Sequence, residues 1–179
     1  MTTILGLSGS LRRASFNTGL LRAARDSAPD GVQVIIGSIT DVPLYDGDAE
    51  AASGTPEAVQ RLNAQLAGAD GLLLVSPEYN NGIPGVFKNA IDWMSRGDGL
   101  ANFKGKPVAV TGASPGSFGT AHAQSHWLPV LRTLQTRPFW EGRLMVSKAG
   151  DLFDEDGNLT DDKTRDRLAR FVADFAATL

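Results

Sequence analysis

The chain has 179 residues, 42% of them hydrophobic and 21% charged, with a formal net charge of −3 and no cysteine. This length and composition suit one globular domain spanning 1–179, with enough apolar residues to cover both faces of a sheet. The charge gives no reason to expect a nucleic-acid partner, and the lack of cysteine excludes disulfides, thiolate nucleophiles and cysteine-held metal or iron–sulfur centres.

No apolar stretch approaches the roughly 20 residues of a membrane helix. The opening Met1-Thr2-Thr3-Ile4 lacks the basic start and long apolar core of a signal peptide. A soluble, cytoplasmic protein without membrane insertion is expected.

In chain order, Thr3–Leu7 is a short apolar run suited to a buried strand. A helix follows from about Asn17 to Ala28, with Leu20, Leu21, Ala24 and Ala28 on one side and Pro29-Asp30-Gly31 as its stop. Val32–Ile36 is a second strand, and Ser38 to Gly54, with its prolines and aspartates, reads as an ordered loop. Thr55 and Pro56 then open a helix as N-cap and first residue, with Val59, Leu62 and Leu66 as its inner stripe. Gly71–Val75 is continuously apolar, as a strand covered on both faces should be. Pro84 starts a helix whose inward residues Phe87, Ala90, Ile91 and Met94 have i, i+3, i+4, i+7 spacing. Pro107–Thr111 is a fourth strand, and a helix from Thr120 to Gln135 should be kinked or split at Pro129. A fifth strand near Phe139–Val146 and a closing helix from Asp161, with Leu168, Phe171, Val172 and Phe175 inward, complete the alternation.

Strands alternating with helices indicate an α/β, doubly wound parallel sheet with helices on both faces. The Gly-x-Gly-x-x-Gly pattern of a dinucleotide fold is missing after the first strand, and the second strand ends Gly37-Ser38 with no acidic residue. The expected fold is therefore flavodoxin-like, five strands in the order 2-1-3-4-5, with a mononucleotide at the switch point.

Three small-residue loops should project from the carboxyl edge of that sheet. The first offers Ser8, Ser10, Ser15, Asn17 and Thr18 as donors and Arg12 as counter-charge, a set suited to a phosphate monoester at a helix N-terminus. The plainer alternative is an N-cap, Ser15 or Asn17, beside solvated arginines. The second, Ser76 to Ile83, offers backbone N–H groups from Glu78 to Asn80 to a heterocycle, with Pro77 and Tyr79 as flat contacts. Its alternative is a set of exposed loop residues. The third, with Ser114, Gly116 and Gly119, lets backbone come close to a ring face, or is a plain turn.

Gly9-Ser10-Leu11-Arg12 with Ser15 and Asn17, together with Pro77-Glu78-Tyr79-Asn80 and the run from Pro84 to Trp93, resembles the NADPH-dependent FMN reductase family. The resemblance spans essentially the whole chain. It implies bound FMN, NADPH or NADH as co-substrate, and homodimers or homotetramers. It also implies hydride transfer to quinones, flavins, azo dyes or chromate. By position, phosphate contacts fall on Ser10, Arg12, Ser15, Asn17 and Thr18. Isoalloxazine and ribityl contacts fall on Pro77, Glu78, Tyr79, Asn80, Ser114, Gly116 and Gly119. Asn81-Gly82 and Phe87 depart from the usual family pattern, the first beside the flavin and the second in the core. The different-class alternative is an FMN-binding electron carrier of flavodoxin type that does not oxidise a nicotinamide.

In such an enzyme the flavin carries the chemistry, so no catalytic side chain is assigned beyond Tyr79 as a ring-side contact. Arg13 is a candidate for the 2′-phosphate of NADPH, or a solvated surface arginine. His122 and His126 stand four apart on a predicted helix, yet with no cysteine and no acidic neighbour they are expected to hold no metal. Asp154 to Asn158 is a turn and not a calcium loop, since the first ligand position would be Leu152. Trp93, Trp127 and Trp140 are assigned to core or subunit contact ahead of flavin stacking.

Overall fold

In a computed structural model describing all residues from Met1 to Leu179, β1 (Thr2–Ser8) lies between β2 (Val32–Gly37) and β3 (Gly71–Val75) in parallel pairing. Beyond β3 comes β4 (Pro107–Ala113), and along its far edge run β5 (Arg137–Pro138) and β6 (Leu144–Val146). The order is β2-β1-β3-β4-β5, with β6 also on β4, which is the doubly wound, flavodoxin-like arrangement expected. The expected fifth strand is in two pieces. Phe139 still donates its N–H to the Val108 carbonyl at 2.8 Å, residues 140–143 then leave the sheet, and β6 rejoins beside Thr111 to Ala113.

Strand periodicity sends alternate side chains to two cores. Leu5, Leu7, Leu72 and Leu74 pack under α3 (Glu57–Ala67), α4 (Gly85–Met94) and α5 (Ala121–Thr133). Ile4, Leu73 and Val75 pack on the other side, under α1 (Phe16–Asp26) and α6 (Asp162–Ala176). The inward residues expected for these helices are buried, except that Ala28 lies beyond the end of α1 and is half-buried. Trp93 and Trp127 are core residues, whereas Trp140 is 70% exposed. Gly19 permits a close approach on the α1–α6 side: a Cβ there would lie 1.7 Å from the Gly157 carbonyl oxygen.

Three local expectations need correction. The segment Ser38 to Gly54 contains a short helix, α2 (Gly47–Ser53), capped by Asp46, whose side chain accepts the Asp48 N–H. None of its residues is buried, so no apolar periodicity marks it. α3 begins at Glu57 with Pro56 as its cap position, and Thr55 makes no cap bond. α5 continues through Pro129 as one helix, so of the two outcomes expected there the split does not occur, although the proline cannot donate to the Ser125 carbonyl. No helix is long and apolar enough to cross a membrane.

Candidate active site at the carboxyl edge of the sheet

β1 ends at Ser8 and α1 begins at Phe16, so seven residues must turn the chain from sheet to helix. Ser15 caps α1: its hydroxyl oxygen accepts the Thr18 N–H at 3.3 Å, and its carbonyl accepts the Gly19 N–H at 2.9 Å. The N–H groups of Ser15, Phe16 and Asn17 have no acceptor within the chain. Three unpaired donors thus stand at the positive end of a helix dipole. Arg12 is exposed, makes no ion pair, and lies 5.9 Å over the Phe16 ring, a cation–π contact that orients it beside those donors. Ser10 Oγ accepts the Arg12 N–H at 3.3 Å and tightens the turn.

The loop after β3 faces this end of α1. Tyr79 and Gly82 exchange both backbone bonds, at 3.1 and 2.9 Å. Between them Asn80 and Asn81 have φ of 49° and 61°, the positive pair that a type I′ turn requires. The Tyr79 N–H is therefore taken, which corrects the expectation that it is free for a heterocycle. The N–H groups of Glu78 and Asn80 remain without partners in the chain. The carboxylate of Glu78 turns away to α5, accepting the N–H of His122 at 2.8 Å and of Ala123 at 3.0 Å. Pro77 is buried beneath the loop and Tyr79 is 49% exposed at its mouth.

The third loop leaves β4 at Ala113. Asn17, buried, clamps that point: its Nδ2 donates to the Ala113 carbonyl at 2.8 Å, and its Oδ1 accepts the Ala113 N–H at 2.9 Å. Ser114 and Pro115 then complete the wall of the cleft.

Eight of the expected site residues line this one cleft: Ser10, Arg12, Ser15, Asn17, Pro77, Glu78, Tyr79 and Ser114. Four do not. The Thr18 hydroxyl is paired with Ser8 Oγ at 2.9 Å. Asn80 stands at the turn tip. Gly116 is exposed beyond the wall, and Gly119 is buried with φ of +62°, where a Cβ would lie 3.1 Å from that of Met145. Gly119 thus serves the turn itself, where a side chain would be strained.

Sequence reasoning missed Phe16, Ala113 and Pro115 in the lining. Phe16 gave a signal, an exposed-looking aromatic at the first helical position beside two arginines. Ala113 gave none, because its role depends on a partner 96 residues away. His122 and His126 are exposed on α5, and His126 Nδ1 lies 3.5 Å from the position a Gly82 Cβ would take.

A flavin mononucleotide joins a phosphate monoester to a planar ring system. The unpaired donors at α1, with Arg12 and the Ser10 and Ser15 hydroxyls, match the phosphate. The free Glu78 N–H, with the apolar surfaces of Pro77 and Tyr79, matches the edge and face of the ring, and the free Asn80 N–H stands one residue beyond that lining. The residues present therefore fit this cofactor.

The family described as NADPH-dependent FMN reductase matches residues 2–151 of the chain. An NAD(P)H-dependent FMN reductase of Pseudomonas aeruginosa is 45% identical over 165 residues, covering 92% of this chain and 88% of that protein. A 2-hydroxy-1,4-benzoquinone reductase of a Burkholderia species is 40% identical over 169 residues, 94% of this chain and 91% of its own. Among solved structures, the flavoenzyme NAD(P)H:(acceptor) oxidoreductase FerB of Paracoccus denitrificans matches with a TM-score of 0.86 at 35% identity, over 99% of this chain and 96% of that one.

Proposed function

The chain belongs to the NADPH-dependent FMN reductase family, and from that premise we propose that it binds FMN in the cleft and uses NAD(P)H to reduce quinones or similar small acceptors. The single observation that carries the reading is the row of unpaired N–H groups at Ser15, Phe16 and Asn17 beside an unpaired Arg12. A phosphate near neutrality brings close to two negative charges to those donors. Each bond to a charged group contributes about 1.5–3 kcal/mol, against about 0.5–1.5 for a neutral pair.

FMN held there by these residues would supply two-electron hydride chemistry between a reduced nicotinamide and an oxidised acceptor. The chain's own task is to hold and orient. The α1 N-terminus and Arg12 fix the phosphate, while the Glu78 and Asn80 N–H groups present fixed dipoles to the polar edge of the ring. Pro77 closes the floor, and Tyr79 stays half-open at the mouth, where a planar partner must enter. Quinones as acceptors are supported by the Burkholderia relative, whose name specifies a benzoquinone.

The same reading makes the protein cytoplasmic and a homodimer or homotetramer. A cysteine-free chain is compatible with the first. Exposed Leu128 and Trp140, which share a groove with Phe139 and Met145, support the second. The test is anaerobic addition of NADPH to the FMN-loaded protein. Bleaching of the visible flavin bands at catalytic speed, with colour restored by a benzoquinone, is expected. A loaded protein that NADPH leaves yellow is a carrier and not a reductase.

A further inference from the structure

The loop that follows β4 is tied at each end by a side chain from another element of the cleft, Asn17 in the first turn of α1 and Glu78 in the loop after β3. At its start, Asn17 holds both backbone groups of Ala113. At its end, Glu78 holds the first free amides of α5, those of His122 and Ala123. Thr120, the cap residue of α5, makes no side-chain cap bond, so the helix takes its cap from the loop after β3. Glu78 is only half-buried and lines the cleft, yet its carboxylate serves α5.

We propose that Glu78 and Asn17 are positioning residues that brace the β4 loop from both sides and assemble the cleft before the flavin binds. By anchoring its carboxylate on α5, Glu78 sets the direction of its own backbone N–H and that of Asn80. Asn17 sets the distance between the phosphate end and residues 113–115. Binding then needs little further ordering of the loops, which is where a preformed site gains affinity.

The proposal rests on the FMN reading only for its binding arm. Two variants of the full-length, FMN-free protein separate reach from charge: Glu78→Asp keeps the carboxylate and loses one methylene, while Glu78→Gln keeps the reach and loses the charge. Amide hydrogen exchange is read over residues 114–123, with α6 as internal control, and FMN affinity is read by fluorescence titration. Glu78→Asp is expected to speed exchange in that segment by about fivefold or more. Its FMN Kd should rise about tenfold, with Glu78→Gln within about threefold of wild type in both readouts. Any other ranking overturns the brace: Asp behaving as wild type, Gln as impaired as Asp, or faster exchange with unchanged affinity. A wild-type protein that takes up no FMN defeats the cofactor assignment instead, and the exchange data still judge the brace.

Discussion

The loops after β1 and β2 leave neighbouring strands at the same edge of the sheet, and they lead into helices whose first turns differ in charge. After β2, donors find partners close by: the Thr40 N–H goes to Ser38 Oγ, the Val42 N–H to the Ile39 carbonyl, and the Tyr45 N–H to Asn89 Oδ1. The Pro43 carbonyl accepts from both Asn89 Nδ2 and Trp93 Nε1, and Asp46 caps α2. After β1, the N–H groups of Ser15, Phe16 and Asn17 have none, and Arg12 has no carboxylate. The Gly47 and Ala49 N–H groups at the start of α2 are unpaired too, but Asp46, Asp48 and Glu50 stand beside them, whereas the first turn of α1 has no acidic residue. A helix start free of acidic residues and beside an unpaired cation, and not unpaired donors as such, separates the ligand loop from the structural one.

The largest effect expected from this contrast is on the phosphate end. Arg12→Ala should weaken FMN binding about 10- to 150-fold, the equivalent of about 1.5–3 kcal/mol, with no change in melting temperature. Fluorescence titration and a thermal scan of the apoprotein check both halves. Unchanged affinity would place the phosphate elsewhere.

Next is the clamp between the loops. Asn17→Ala leaves the buried Ala113 N–H and carbonyl without partners and should cost about 1–3 kcal/mol in a urea titration. Asn89→Ala, its counterpart on the β2 loop, removes two bonds that are exposed to water. It should cost about 0.5–1.5 kcal/mol and leave FMN affinity as it was. If Asn89→Ala lowered FMN affinity as much as Arg12→Ala, the two loops would not be functionally distinct.

The smallest effect is on pH. A phosphate monoester loses its second charge below about pH 6, so FMN affinity should decline as pH falls through that value. The β2 loop should hold longer. There the Glu50 carboxyl lies below its usual range, chiefly through the hydrogen bond donated by Tyr45 and secondarily through Arg96. A carboxyl depressed in the folded state contributes stability above its ordinary value and loses it as pH falls through the depressed one. Acid titration followed by hydrogen exchange should therefore loosen α2 only after FMN affinity has dropped.

Sequence periodicity carried the layers, because long apolar runs such as Gly71–Val75 have few other uses, and the missing dinucleotide pattern after β1 carried the strand order. Periodicity failed where no apolar pattern exists. α2 has no buried face, and the fifth strand breaks at residues 140–143, where only the pairing with β4 distinguishes strand from excursion. Within the cleft, residue types pointed to the correct loops but not to the use of each group. The Tyr79 N–H is consumed by a turn and Thr18 by Ser8, and Glu78 caps a helix 44 residues away. The Glu78 partner is distant in sequence and invisible to a one-dimensional pattern, whereas the Tyr79 and Thr18 partners are near and depend on how each loop turns back on itself.

The most direct test of the central claim compares FMN with riboflavin, which differs only in lacking the phosphate, as ligands of the stripped wild-type protein. Saturation at one FMN per chain is expected, with affinity at least about tenfold above that for riboflavin, since one charge-assisted bond is sufficient for that ratio. Equal affinity for the two would contradict the account, because the α1 donors and Arg12 would then hold nothing.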